Sequence, residues 1–393
     1  MKQKLFRSFL WATAMAIGLV PVVEAMAQAA YKPVLADQKN APALPRTAVH
    51  IEKIKTQLEQ PWGLEILADG RLLITEKSGQ LWLYEKDMQA RQLLLRVADV
   101  AAVGQGGLLD VAFVPGPTPY ICMSYAQKRE GEKNSTALMC GVWQDGPTAR
   151  VVNPRTVWQQ NPAWESLGHF GARIVVRGDG TLFLTTGDRF EPAARALVQN
   201  LDNSLGKVIR IYPDGRVPEN NPFVHQPKAL SEIWSVGHRN MQGAALDGEG
   251  RLWTLEHGPR GGDELNRPEA GKNYGWPIIT YGLEYSGKKI GAGLVQKPGL
   301  EQPVYYWDPV IAPSGMVFYS GAAFPAWRGD VLIGGLVSQG LVRLKLQKDR
   351  VVGEERMDLD ARIRDVAQGP DGLVYLITDA APAEIIRLSP AKN

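Results

Sequence analysis

Four loops in this 393-residue chain hold side chains able to do chemistry, and each interrupts an otherwise repetitive pattern. In Leu167-Gly-His-Phe-Gly-Ala-Arg173, Gly168 and Gly171 flank His169 and give its imidazole room. An imidazole titrates near working pH and serves as a general base, or it bonds a turn carbonyl and is purely structural. In Ser235-Val-Gly-His-Arg-Asn-Met-Gln-Gly243, Arg239 and Asn240 set a planar cation beside an amide. That pair suits a carboxylate or a carbonyl oxygen, with an ion pair between structural repeats as the alternative. The third loop is Glu256-His-Gly-Pro-Arg-Gly-Gly-Asp-Glu-Leu-Asn266, followed by Gly271-Lys-Asn-Tyr-Gly-Trp-Pro277. Irregular backbone at Gly258 and Pro259 turns carbonyls outward, and Asp263 and Glu264 add carboxylates. Such all-oxygen surroundings suit calcium, although a solvated acidic turn has the same composition and no EF-hand spacing is present. His257 offers one zinc ligand without a second His or Cys at ligand spacing. The fourth loop, Ala361-Arg-Ile-Arg-Asp365, puts Arg362 and Arg364 on one face of a strand. Two adjacent guanidiniums repel unless an anion lies between them or each has its own carboxylate. The chain has no Walker loop, no dinucleotide glycine fingerprint after a strand and no nucleophile elbow.

The elements that must position these loops read as short strands from about Val49 onward, with one helical candidate around Ala193–Gln199. A recurring phrase organises them: an acidic residue, Gly, then an alternating apolar run. It occurs at Asp69-Gly70, Asp179-Gly180, Glu249-Gly250 and Asp371-Gly372, with weaker copies expected at Asp214-Gly215 and Gly329-Asp330. A glycine of positive φ joining two half-buried strands is the physical content of the phrase. The four strong copies lie 110, 70 and 122 residues apart, or two, one and two units of about sixty. Self-similarity at a four-strand period marks a propeller, and the chain length gives six blades. The fold class expected is therefore all-β: a six-bladed β-propeller of four-stranded antiparallel blades over residues 49–393. Val49–Ile54 is a candidate for the strand that closes the ring. Residues 28–48, rich in Ala and Pro, read as an extended arm.

Lys2, Lys4 and Arg7, an apolar run from Phe9 to about Val23, and Ala25-Met-Ala27 make residues 1–27 a signal peptide, with a retained N-terminal anchor as the alternative. The absence of an obvious lipobox cysteine points to the periplasm. The net charge of +3 carries no basic stripe, so neither nucleic acid nor a membrane surface is an expected partner. Cys122 and Cys140 lie in two strands of a hairpin, open to either a cross-strand disulfide or two buried thiols.

Taken together, the loops resemble the family of soluble, quinone-dependent glucose and aldose sugar dehydrogenases. The resemblance runs from Gln60-Pro-Trp-Gly63 to the last blade. Its most specific motifs are Gly104-Gln-Gly-Gly-Leu-Leu109, Gly237-His-Arg-Asn240, Glu256-His-Gly-Pro259, Asp263-Glu-Leu-Asn266, Asn273-Tyr-Gly-Trp-Pro277 and Arg362-Ile-Arg-Asp365. It implies that His169 is the base that takes a proton from the sugar C1 hydroxyl while hydride passes to C5 of pyrroloquinoline quinone (PQQ), giving a lactone. Arg239 would face the developing oxyanion. Gln105 and Asn240 would contact the cofactor, and Arg362 and Arg364 would hold its carboxylates. The carbonyls of Gly258 and Pro259 would bind the calcium that polarises the quinone, and Glu264 and Tyr274 match positions associated with a further calcium. The implied partners are an aldose substrate and a separate electron acceptor.

Three departures stand out. Ser338-Gln-Gly340 lies where some members carry a lysine, and Met241 replaces a proline. Arg189-Phe-Glu191 after Gly187-Asp188 differs from the glucose enzymes, which favours a broad aldose specificity. A calcium-dependent lactonase propeller would not need Arg239, Arg362 and Arg364 to converge, and a non-catalytic binding propeller would not need His169.

Overall fold

The structure is a computed structural model that describes residues 31–146 and 148–391; the proposed signal peptide lies outside these residues. Six four-stranded antiparallel sheets form a six-bladed β-propeller. Blades 1 to 5 are continuous in sequence, over residues 61–96, 108–159, 171–236, 241–307 and 313–358. The sixth blade takes three strands from residues 363–390 and its outermost strand from Val49–Lys55. That strand pairs antiparallel with Glu384–Pro390, from Val49 opposite Pro390 to Lys55 opposite Glu384. The expected closing strand is thus in place.

The ring is held by apolar packing between blades rather than by one central core. One hydrophobic cluster lies at each of the six junctions, for example Ile121 and Met123 with Leu81 and Leu83 between blades 1 and 2. At the closing junction Ile377 and Ile385 pack on Leu72 and Ile74. Each fully buried aliphatic side chain contributes about 1.5–3 kcal/mol. Cys122 and Cys140 face each other across strands Tyr120–Lys128 and Asn134–Gln144 and form a disulfide.

The repeated phrase occupies one place, the hairpin between the first and second strands. Gly70, Gly180, Gly250 and Gly372 have φ of 90, 79, 75 and 76°, the left-handed region that the turn requires. Gly329-Asp330 falls just before the second strand of blade 5, as expected. Asp214-Gly215 does not: it follows the third strand of blade 3, Lys207–Ile211, and is a turn of another kind. The helix is also shorter than Ala193–Gln199; Pro192–Arg195 makes a single turn without a side-chain cap and gives way to turns. No helix among the described residues is long and apolar enough to cross a membrane.

Candidate active site

In an antiparallel blade the start of the first strand and the end of the second lie at the same end of the propeller. Four blades use this adjacency in one way. Glu76 and Glu256 close their second strands, and Asp188 and Asp379 follow theirs. Each carboxylate meets a group at or just before the first strand of its own blade. Glu76 accepts the Glu59 amide at 2.7 Å. Asp188 meets His169, Glu256 meets His238, and Asp379 meets Arg362 and Arg364. Asp188 and Asp379 escaped the sequence reading as functional groups. Their signal was present: each copy of the Gly phrase is followed, seven to nine residues after its acid, by a second acid.

His169 lies 3% exposed with φ 52°, a strained conformation for a residue other than glycine. Its Nδ1 lies 2.6 Å from Asp188 Oδ1, while Asp188 Oδ2 accepts the Trp276 indole N–H at 2.7 Å. The pairing fixes the tautomer, with Nδ1 as donor and the Nε2 lone pair free of hydrogen-bond partners among the described residues. A side chain at Gly187 would lie 2.0 Å from the His169 carbonyl oxygen, so only glycine lets the two segments touch. Burial and the Arg239 charge lower the His169 pKa to about 4, against the opposing pull of Asp188. Burial acts to raise the Asp188 carboxyl, but its bond to His169 and the neighbouring charges hold it below the ordinary range. The imidazole is therefore neutral and able to accept a proton at neutral pH, in place of the turn-bonding histidine considered as the alternative.

Arg239, 2% exposed, makes no ion pair with a carboxylate among the described residues, in place of the pairing between blades considered as the alternative. Its Nη1 donates to the carbonyls of His257 (2.8 Å) and Gly258 (2.9 Å), its guanidinium lies 5.3 Å from the Trp276 ring centre, and its Nε is buried without a partner. Asn240 uses Oδ1 to accept the Gly171 amide and Gln242 Nε2, leaving Nδ2 buried and unpartnered. In the third loop the carboxylates differ from expectation. Asp263 is a brace: it accepts the Gly258, Ile311 and Ala312 amides, each at 2.8 Å. Glu264 bonds to Asn266, and burial with the Glu256 charge raises its pKa well above normal. The Tyr274 hydroxyl bonds to the Arg267 carbonyl and Glu269 amide, a different set of partners from those of Glu264. His257 Nε2 bonds to the Pro313 carbonyl at 2.7 Å. Among the described residues no group of three or more His, Cys, Asp or Glu side chains gathers as a metal site.

Beside this cluster is a cavity of about 630 Å³ whose wall includes Trp62, Lys77, Gln105, Arg362, Arg364 and Asp379. The two arginines relieve their repulsion by the salt-bridged route, with one protein carboxylate shared between them: Arg362 Nη2 lies 2.7 Å from Asp379 Oδ2, and Arg364 Nη2 lies 3.0 Å from Oδ1. His169, Arg239 and Asn240 are not in this wall, but three residues of the wall reach them. Gln105 Oε1 accepts the His169 amide at 2.8 Å, Gln242 bonds to Asn240, and the His257 carbonyl accepts from Arg239. The structure thus brings all the expected base and cofactor residues into two adjoining clusters.

Residues 58–387 match the family model described as glucose/sorbosone dehydrogenase. Over 357 residues the chain is 41% identical to aldose sugar dehydrogenase YliI of Escherichia coli strain K12, covering 88% of this chain and 94% of that protein. It is similar to the crystal structure of the apo-form of the soluble aldose sugar dehydrogenase of E. coli, with 39% identity, a TM-score of 0.82, and coverage of 87% and 100%. The PQQ-bound form of aldose sugar dehydrogenase from Streptomyces coelicolor gives 25% identity, a TM-score of 0.70, and coverage of 88% and 99%.

Proposed function

This chain belongs to the glucose/sorbosone dehydrogenase family of oxidoreductases, and on that premise we propose that it oxidises aldose sugars at C1 to lactones in the periplasm, with PQQ as hydride acceptor and calcium as its activator. The observation that carries the reading is a neutral, carboxylate-oriented histidine beside an uncompensated arginine, both tied to a cationic cavity.

The residues present fit the cofactor. The buried, unpartnered Arg239 Nε and Asn240 Nδ2 are donors that lack an acceptor within the protein. Arg362 and Arg364 share one carboxylate and retain further N–H groups for a carboxylated ligand. For calcium, the carbonyls of Gly258 and Pro259 are the proposed ligands; Gly258 O accepts one bond from Arg239 and keeps a second lone pair. Glu264 and Tyr274 are proposed for a further calcium, and the raised Glu264 carboxyl would have to ionise on binding. When bound, PQQ supplies a two-electron acceptor and calcium a Lewis acid that polarises it.

The chain itself does the rest. His169 Nε2 accepts the proton of the sugar C1 hydroxyl, and Asp188 stabilises the imidazolium that results. Trp276 holds Asp188 in position through the second carboxylate oxygen. Arg239 places a fixed positive charge beside the reacting centre, in a buried setting where charge acts strongly. A separate acceptor then carries the electrons away.

Reconstituting the purified protein with PQQ and calcium, with and without a chelator, and following dye reduction over a panel of aldoses tests the reading. Activity that requires both additions and responds to several aldoses is expected. Failure of PQQ to bind the purified protein would overturn it.

A further inference from the structure

Lys77 belongs to none of the four loops, yet its side chain lines the same cavity as Arg362 and Arg364. It is the first residue after the second strand of blade 1, the position that Asp379 takes in blade 6. Its ammonium donates to the Gly104 carbonyl at 2.8 Å, beside Gln105, and no carboxylate lies within ion-pair distance of it among the described residues. An ammonium has three donors, so two remain. The cavity wall therefore holds three cations, Lys77, Arg362 and Arg364, against the single carboxylate Asp379, a net charge of +2. Burial and the Arg364 charge both disfavour the charged form of Lys77, and Asp379 opposes them. The adjoining fifth-blade residues of the wall, Leu336 and Val337, bring no charge. Half-buried like charges in one wall are unfavourable until an anion joins them.

We infer that Lys77 binds a carboxylate of the cofactor, as a third cationic contact supplied by blade 1. The inference rests on the PQQ reading above. Lys77 is a positioning residue for the bound quinone, and its bond to Gly104 at the same time steadies the loop that carries Gln105.

The test is a titration of the apo-protein with PQQ, read by quenching of tryptophan fluorescence, for wild type, Lys77→Met, Lys77→Arg and Arg364→Met. The trimethyl ester of PQQ serves as an uncharged probe. Loss of one charge-assisted bond predicts a Kd about 10- to 100-fold weaker for Lys77→Met. Its salt dependence should be shallower, Lys77→Arg should recover most of the affinity, and the ester should bind Lys77→Met as it binds wild type. An unchanged Kd in Lys77→Met, with Arg364→Met weakened, overturns the inference while leaving the PQQ reading intact. Equal weakening of PQQ and ester in both Lys77 variants also overturns it, because Lys77 then acts only as a loop staple. No binding by wild type removes the PQQ reading and this inference together.

Discussion

Blade 3 joins His169 to Asp188 at 2.6 Å, and blade 4 joins His238 to Glu256 at 3.1 Å. Both histidines precede a first strand, Glu256 ends its second strand and Asp188 follows its own by two residues, and both rings are buried. The second ring nitrogen separates them. His238 Nε2 bonds to Ser235 Oγ at 2.9 Å and its ring stacks on Tyr274 at 4.9 Å, so every polar atom is satisfied. His169 Nε2 has no hydrogen-bond partner among the described residues, and its ring meets Phe190 edge-on rather than in a stack, 5.0 Å between centres. The repeat supplies the histidine–carboxylate pair; the partner withheld from one nitrogen makes a base of it. In the fourth blade the same pair is a brace, with Glu256 also holding the Arg239 amide at 2.6 Å.

Breaking each pair should therefore give different losses. Asp188→Asn should lower kcat by about 10²–10⁴-fold with the fold intact, because the imidazole loses its tautomer and its counter-charge. Steady-state dye reduction on reconstituted protein measures this, and a kcat near wild type would remove Asp188 from the mechanism. Arg239→Met should lower kcat by about 10²–10³-fold, read in the same assay. His238→Phe keeps the ring stack but strands Ser235 Oγ and takes one of two partners from Glu256 Oε1, so thermal or denaturant unfolding should show a loss of about 1–3 kcal/mol. Turnover by the folded fraction should stay close to wild type; a kinetic defect as large as that of Asp188→Asn would erase the distinction between the blades.

The smallest effect is in pH. The active form of His169 is neutral, so kcat/KM should be flat above its folded pKa and fall as the pH drops through about 4. The Arg239 charge helps to lower that pKa, so the acid limb of Arg239→Met should move to higher pH. A profile pinned at the same pH in both proteins would break the coupling between the two residues.

The architecture was legible because the Asp-Gly phrase recurs at a nearly fixed period and glycine alone is comfortable at φ of 75–90°. His169, Arg239, Asn240 and the Arg362/Arg364 pair were legible because each stands in a loop that breaks the repeat. Asp188 and Asp379 were harder to see, since their partners lie 19 and 15–17 residues away and an acid after a strand is ordinary on a protein surface. Trp276 lies 88 residues from the oxygen it orients, a contact made only where blades 3 and 4 pack together. Asp263 misled for the opposite reason: its type fits a metal, but backbone amides of its own loop and of residues 311–312 occupy both its oxygens. Lys77 carries no motif at all, and its place in the cavity wall follows from the meeting of blades 1 and 6.

The central claim is that His169 is the base of a PQQ-dependent sugar oxidation, and His169→Gln tests it most directly. PQQ occupancy, measured by fluorescence titration, and aldose-dependent dye reduction should be recorded on the same reconstituted sample. Cofactor bound as in wild type, with kcat lowered by about 10²–10⁴-fold, is the result expected of a lost general base. Full occupancy with unchanged turnover would contradict the account.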